Sequence, residues 1–380
     1  MNRVVVKLGT RVLTNDNGQL AHDRLASLVS HVATMIDEGR QVILVSSGAV
    51  GLGRDAIGLP PGPSDLATRQ ACAAIGQSRL MGVYEGLFGQ HSLCCAQVLL
   101  TQSDFDDTHR YENLTRTLGK LMQHRVVPIV NENDVVATEE LAYVRPTLAP
   151  AGSWGSPEKP KRMSFGDNDQ LASILASKLE AELLILLTDV DAVYDKNPNK
   201  HADAKPIKEW TVDTEVNSDQ DAGAGRGGMR SKIRSASQAA RAGCTAVIAS
   251  GRKGDTLQQL FTDEPPGTWF PAVGMLSQTH QWIAMASSVY GVVVVNEAAT
   301  GRMRAERASV YATDIIHVNG DFSIGQVVEI RDQDNVLLGR GATSYPSDIA
   351  RAWANDPHET HAKRDVIVIR WDQLTQEPKP

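Results

Sequence analysis

Two lysines stand where a lysine is costly. Lys7 closes the apolar run of "RVVVKLG", and Lys232 closes "GAGRGGMRSK", where Gly-rich backbone gives way to a helical pattern. A buried ammonium needs an anion, but a lysine at the end of an element also reaches water along its own stem. For Lys7 the two readings stand level. The glycine-rich stretch by itself reads as a surface loop, and it lacks the G-x-x-x-x-G-K-[ST] order of a P-loop. Its glycines still let backbone approach a ligand, and the N–H groups of a helix N-terminus attract phosphate. A third stretch, "SFGDNDQLASIL", sets Asp167, Asn168 and Asp169 before the helical period of Leu171, Ile174, Leu175 and Leu179. Asp167 and Gln170 have the spacing of a capping box, which leaves Asn168 and Asp169 over.

Such groups act together only if the fold gathers them. The first 250 residues alternate between short apolar runs and helical patterns. "RVVVKLG", "QVILVSSG", "CCAQVLL", "RVVPIVN", "ELLILLTD" and "CTAVIAS" read as strands, with helical segments near 25–36, 64–89, 109–124, 169–180 and 230–242. Apolar strands alternating with helices predict an α/β fold, a mostly parallel sheet sandwiched between helices. Sites in such sheets lie at the carboxyl ends of the strands. There the sequence places Lys7-Leu8-Gly9-Thr10, Ser46-Ser47-Gly48-Ala49, Asn131-Glu132-Asn133-Asp134 and Thr188-Asp189. Each alone is accounted for by a turn or a cap; all four at neighbouring strand ends suggest a site for an anionic ligand.

Two regions break the rhythm. Residues 141–163 hold four prolines, show no period and predict a loop. After about residue 270 the helices fade, and "GVVVVNE", "IIHVN", "QVVEIRD" and "DVIVIRW" predict a small all-β module. The expected organisation is a catalytic domain at 1–270 with the insertion 141–163, a linker at 271–287, a β module at 288–372 and a polar tail at 373–380.

Bulk properties exclude several classes. A net charge of −7 and 42 % apolar residues fit a soluble globular chain rather than a general nucleic-acid or membrane binder. No apolar run approaches the roughly 20 residues that span a bilayer, and no signal pattern opens the chain. Cys72, Cys94, Cys95 and Cys244 lack metal-ligand spacing and read as thiols of a reducing, cytoplasmic compartment.

The motifs "VVVKLGT", "VSSGAVGLGR", "VVPIVNENDVVAT", "FGDNDQLAS", "LLTDVDAVYDKNP" and "GRGGMRSKIRSA" occur in the order seen in glutamate 5-kinases of the amino acid kinase family, which the chain resembles from residue 3 to beyond 250. The segment "VNGDFSIGQVVEIRDQDNVLLGRGATSYPSD" resembles the PUA module of many bacterial members. The resemblance implies ATP-dependent phosphorylation of the γ-carboxylate of L-glutamate, the first step of proline biosynthesis, with feedback inhibition by L-proline. It implies MgATP as cosubstrate, with Mg²⁺ carried by ATP rather than by a protein metal site. It also implies a homo-oligomer and functional coupling to glutamyl-phosphate reductase; the net charge and the lack of long apolar runs point to neither a membrane nor a nucleic-acid partner. Carried over residue by residue, Lys7 touches the transferring phosphoryl group, Lys232 the leaving side, and Asp169 orients both. Ser47, Gly48, Ala49, Asp134 and Asn168 match the glutamate positions. Lys7, Gly9, Thr188, Asp189 and the run Arg226, Gly227, Gly228, Met229, Arg230, Ser231, Lys232 match the nucleotide positions.

The chain departs from the family in two places. Asp134 and Gly166 are separated by 31 residues because of the proline-rich insertion, a longer spacing than the family's. Arg226 and Arg230 stand where small hydroxyl residues are common, and Arg230 is expected to be solvated. The insertion carries Arg145, Lys159, Lys161 and Arg162 against Glu158. It reads either as a tolerated surface loop or as a lid that guides anions. Two rival readings are a kinase of another carboxylic acid, such as aspartate or N-acetylglutamate, and an RNA-binding protein working through its last module. The second meets a charge balance of 10 basic against 13 acidic residues in 285–380, the wrong sign for a polyanion binder.

Overall fold

The computed structural model describes residues 2–136, 168–211, 228–273, 289–305, 309–355 and 365–368, apart from Asp16, Pro61, Pro63, Gln102, Asp107, Asn199 and Ala202. Those residues form two compact units, one drawn from 2–136 and 168–273 and the other from 289 onward. The insertion at 141–163, the capping residue Asp167, Arg226, Gly227, most of the 271–287 linker and the tail at 373–380 lie outside the described residues.

The first unit is built on β1 (Arg3–Leu8), β2 (Gln41–Ser46), β3 (Cys94–Leu100), β4 (Val126–Glu132), β5 (Leu183–Thr188), β6 (Thr245–Ser250) and β7 (Thr268–Phe270). Their order in the sheet is β3-β4-β2-β1-β5-β6-β7, parallel throughout except for β6 with β7. The first six are the strands expected from the sequence; β7 has three residues, too few to show a period. Between them run α1 (Thr10–Leu13), α2 (His22–Asp37), α3 (Ala49–Ala56), α4 (Leu66–Gly89), α5 (Ser103–Asp106), α6 (Thr108–Gln123), α7 (Asn168–Lys178), α8 (Met229–Arg241) and α9 (Thr256–Gln259).

Strand alternation decides where the first lysine goes. Val4, Val6 and Leu8 join one core cluster with Leu25, Leu28, Leu80 and Tyr84 of α2 and α4. Val5 joins the opposite cluster with Leu171, Ile174 and Ala236 of α7 and α8. Side chains of a strand alternate between faces, so Lys7 shares the face of Val5. The connections also place the site: from β1 the chain moves to β2 on one side, and from β5 to β6 on the other. An open α/β sheet binds ligands where its order reverses, at the carboxyl ends; here that is between Lys7–Gly9 and Thr188–Asp189.

α3 and α4 meet backbone to backbone. A methyl group on Gly76 would stand 1.7 Å from the carbonyl oxygen of Ala49, and one on Gly53 would stand 1.8 Å from that of Cys72. Only glycine permits this approach. It seats the buried face of α4, which includes Gln77, against the helix that "SSGAVGLG" starts.

The second unit is a six-stranded sheet of β8 (Gly291–Val295), β9 (Val310–Tyr311), β10 (Ile315–Asn319), β11 (Val327–Arg331), β12 (Leu337–Thr343) and β13 (Asp365–Val368), in the order β10-β8-β11-β12-β13-β9. To the expected all-β reading it adds two helices, Glu297–Ala305 and Ser347–Asn355. Each is nine residues long, and Ala299, Met303, Ala350 and Trp353 attach them to the module's own core. Segments this short show too few turns for helical period to stand out.

Candidate active site

Asp169 lies in the first turn of α7, where the helix dipole favours a carboxylate. Lys232 lies in the first turn of α8, where the same dipole disfavours a cation. Asp169 holds it there: Lys232 Nζ donates to Asp169 Oδ2 at 2.9 Å, and Lys7 Nζ stands 2.6 Å from Asp169 Oδ1. Ser173 Oγ of α7 donates to the backbone oxygen of Ser235 of α8 at 2.8 Å and fixes the two helices side by side. Lys7, Asp169 and Lys232 are 5 %, 0 % and 8 % exposed. Burial alone would push the Asp169 carboxyl up, but the ammonium groups of Lys7 and Lys232 outweigh it and hold that carboxyl below its usual range. Two cations thus share one anion in a dry place. Lys7 is buried on that anion instead of reaching water along its stem, which removes the snorkelling alternative.

Next to this cluster, Asn168 Nδ2 donates to Ser47 Oγ at 2.9 Å, to the backbone oxygen of Ser46 at 3.1 Å and to Asn131 Oδ1 at 3.0 Å. Ser47 N–H donates to the backbone oxygen of Leu8 at 3.2 Å, tying this strand end to that of β1. Gly48 follows with φ +99°, a left-handed turn into α3 that Ala49 begins. Asp134, half-buried, lies in the turn after β4, whose residue Val130 pairs with Val45 of β2. The expected glutamate positions therefore sit at the ends of β2, β4 and α7, with Asn168 joined directly to Ser47.

The expected nucleotide positions lie on the other side of β1. Gly9 caps α1, and Leu8 pairs with Leu187 of β5. Thr188 Oγ1 donates to Asp189 Oδ1 at 3.1 Å, and Arg11 Nη1 donates to Asp189 Oδ2 at 3.0 Å. Burial raises the Asp189 carboxyl, while the hydrogen bond from Arg11 draws it below its ordinary value. Gly228 caps α8 with extended backbone; Met229 and Ser231 are half-buried, and Arg230 is exposed.

Three residues enter the site that the motif reading did not assign. Arg11 lay hidden among residues of α1. Asn131 was visible at its strand end but given no role. Gln77 had a signal: it occupies the buried helical face of Cys72, Ala73, Gly76, Leu80 and Tyr84, a place where an amide needs a reason.

Residues 2–250 match the model of the amino acid kinase family, and residues 291–356 match that of the PUA domain. The first match covers well over half of the chain, and the chain belongs to the amino acid kinase family. The relatives narrow the class. The glutamate 5-kinase of Marinomonas sp. (strain MWYL1) is 37 % identical over 348 residues, 90 % of this chain and 87 % of its own length. That of Thermobifida fusca (strain YX) is 38 % identical over 351 residues, 91 % and 84 %. That of Dehalococcoides mccartyi (strain CBDB1) is 36 % identical over 351 residues, 91 % and 89 %. Over about nine-tenths of its length the chain is thus similar to glutamate 5-kinases.

Proposed function

We propose that this chain transfers the γ-phosphoryl group of ATP to the side-chain carboxylate of L-glutamate, giving ADP and L-glutamyl 5-phosphate, the first step of proline biosynthesis. The observation that carries this reading is the buried Lys7–Asp169–Lys232 cluster, with both carboxylate oxygens engaged at 2.6 and 2.9 Å. A glutamate side chain has a pKa near ~4.3, so the nucleophile is ionised at pH 7 and needs no general base. The difficulty is repulsion between anions and charge moving to the leaving β-phosphate, which fixed cations relieve. An ammonium has three N–H donors, so one carboxylate does not exhaust it. Lys7 is assigned to the transferring group and Lys232 to the leaving oxygens, while Asp169 holds their spacing and takes no proton.

Among the described residues no three carboxylate, imidazole or thiol groups come together as a metal cage. The reading takes Mg²⁺ to enter as MgATP, held by phosphate oxygens, where it would neutralise part of their charge. The reading extends to feedback inhibition by L-proline, a homo-oligomer, a cytoplasmic location and consumption of the acyl phosphate by a reductase. It also includes the division into a kinase domain at 1–270 and a β module at 288–372. The test is γ-glutamyl hydroxamate formation when hydroxylamine traps the acyl phosphate, run over L-glutamate, L-aspartate and N-acetyl-L-glutamate. ATP-dependent product with L-glutamate alone is expected; a higher rate with either rival acid would reassign the substrate.

A further inference from the structure

Behind Asn168 lies a chain of three amides. Asn168 Nδ2 donates to Asn131 Oδ1 at 3.0 Å, and Asn131 Nδ2 donates to Gln77 Oε1 at 3.0 Å. Asn131 Oδ1 also accepts from the backbone N–H of Glu132 at 2.9 Å. Gln77 and Asn131 are 7 % and 3 % exposed.

Two backbone groups fix the orientation of all three. The N–H of Glu132 can only donate, so Asn131 must turn its oxygen to it. The carbonyl of Ser46 can only accept, so Asn168 must turn its nitrogen to that oxygen, 3.1 Å away. The nitrogen of Asn131 then faces Gln77, which must answer with oxygen. Asn168 therefore meets three acceptors, Ser46 O, Ser47 Oγ and Asn131 Oδ1, with two N–H bonds. Its nitrogen has no donor to spare for a ligand carboxylate. Its oxygen, on the far side of the same amide, is an acceptor to which no described residue donates. At the buried end, Gln77 Nε2 has no partner among the described residues. An amide placed in a core with half of its hydrogen bonds unmade is kept for the half that is made.

We propose that Gln77 is a positioning residue for substrate recognition: through Asn131 it holds Asn168 with its carbonyl oxygen outward, as the acceptor for the α-ammonium group of the amino-acid substrate. This rests on the kinase reading above and deepens it, by naming what separates an amino acid from the same dicarboxylate without its amine. A carboxylate end would be gripped by N–H groups; a positively charged amine requires an oxygen, and the amide chain supplies one that cannot flip. The glycine contact of α3 and α4 delivers Gln77 to this place.

The experiment compares L-glutamate with glutarate, which lacks the amine, in the full chain. Two readouts are taken: kcat/KM in the trapping assay, and the ligand-induced shift in Tm, which needs no turnover. The wild type is expected to favour L-glutamate by at least about 100-fold. Gln77→Met keeps the volume but removes the acceptor; it should cut that preference about ten-fold or more through the KM for L-glutamate and leave the KM for ATP in place. Gln77→Glu keeps an oxygen for Asn131 and should retain the preference. An unchanged preference in a folded Gln77→Met chain overturns the proposal. If that variant does not fold, Gln77→Glu decides, since loss of preference with the acceptor present is equally fatal. Failure of the wild type to phosphorylate L-glutamate counts against the kinase reading instead, and the Tm readout still scores the amide chain.

Discussion

The two units treat charge in opposite ways. In the first, Lys7 and Lys232 share a single carboxylate and all three groups are 8 % exposed or less. In the second, every described arginine faces an acid: Arg302 with Asp314, Arg304 with Asp332, Arg331 and Arg340 with Glu329, and Arg351 with Asp321. Most of those guanidinium groups are in contact with water, and exposed pairs of this kind are worth about 0–1 kcal/mol. The buried cluster gathers two ammonium groups on one carboxylate at the strand ends. The module's described arginines are already matched, which gives no support to an RNA-binding role for it. Buried cations gathered on one acid, rather than exposed pairs, mark the proposed anion site.

Removing the shared acid should show the largest effect. Asp169→Asn leaves two buried ammonium groups facing each other, and breaking a buried ion pair costs about 3–5 kcal/mol. Activity should fall below detection, because neither lysine then has a fixed place. The contribution also has a pH signature. The folded-state carboxyl lies below its usual range, so its stabilisation is complete above the unfolded pKa of about 3.9 and is lost as pH falls through the lower folded value. Denaturant unfolding of wild type and variant should therefore differ by a constant amount from about pH 5 to 8 and converge below about pH 4. A gap that grows on acidification would contradict the assigned charge state.

Lys7→Ala and Lys232→Ala come next. Each removes a cation from the proposed transition state, with an expected fall in kcat of at least about 10²-fold. Near-wild-type kcat at saturating substrate in either variant would remove that lysine from the mechanism. A smaller effect is expected of Arg11→Ser. Arg11 is largely exposed and holds Asp189 at 3.0 Å beside the expected nucleotide positions. Its loss leaves the Asp189 charge unopposed near incoming phosphates, so the KM for ATP should rise, by no more than about five-fold for an exposed pair. An equal rise in the KM for L-glutamate would place Arg11 elsewhere in the cycle.

Much of this arrangement was legible before any coordinates, and the reasons are local. "VVVKLG" and "LLILLTD" announce buried parallel strands by continuous apolar runs, and a polar residue closing such a run must be accounted for. That is why Lys7 and Asp189 could be named from sequence. Asp169 and Lys232 were named from motif order, but their joint grip on one another depends on α7 and α8 lying side by side, 63 positions apart in the chain. The burial of Gln77 is legible but its partner is not: helical period predicts burial of a face, not which polar atom that face will meet. Its partner Asn131 comes from a strand 54 positions away. The two helices of the module are nine residues each, too few turns for a period to stand out. Short elements and long-range amide pairs are what local patterning cannot carry.

The smallest effect is expected where the comparison is sharpest, at Arg304. Its guanidinium donates to Asp332 Oδ2 at 2.8 Å, and its side chain is 61 % exposed. Asp332 itself is buried, which makes the pair look like a counterpart of Lys232 and Asp169. The likeness fails on what else holds the acid. Asp332 Oδ1 accepts from the backbone N–H groups of Asp334 at 3.1 Å and Val336 at 2.8 Å, closing the turn between β11 and β12. Two main-chain donors remain when the arginine is gone, and the arginine itself is solvated. Arg304→Ala should therefore cost within about 1 kcal/mol and leave the kinetic constants for ATP and L-glutamate unchanged, as read by thermal unfolding and steady-state assays. A loss comparable to that of Asp169→Asn would show that the module's ion pairs hold its structure as tightly as the buried cluster holds the kinase site, and the distinction between buried, shared charge and exposed, paired charge would have to be given up.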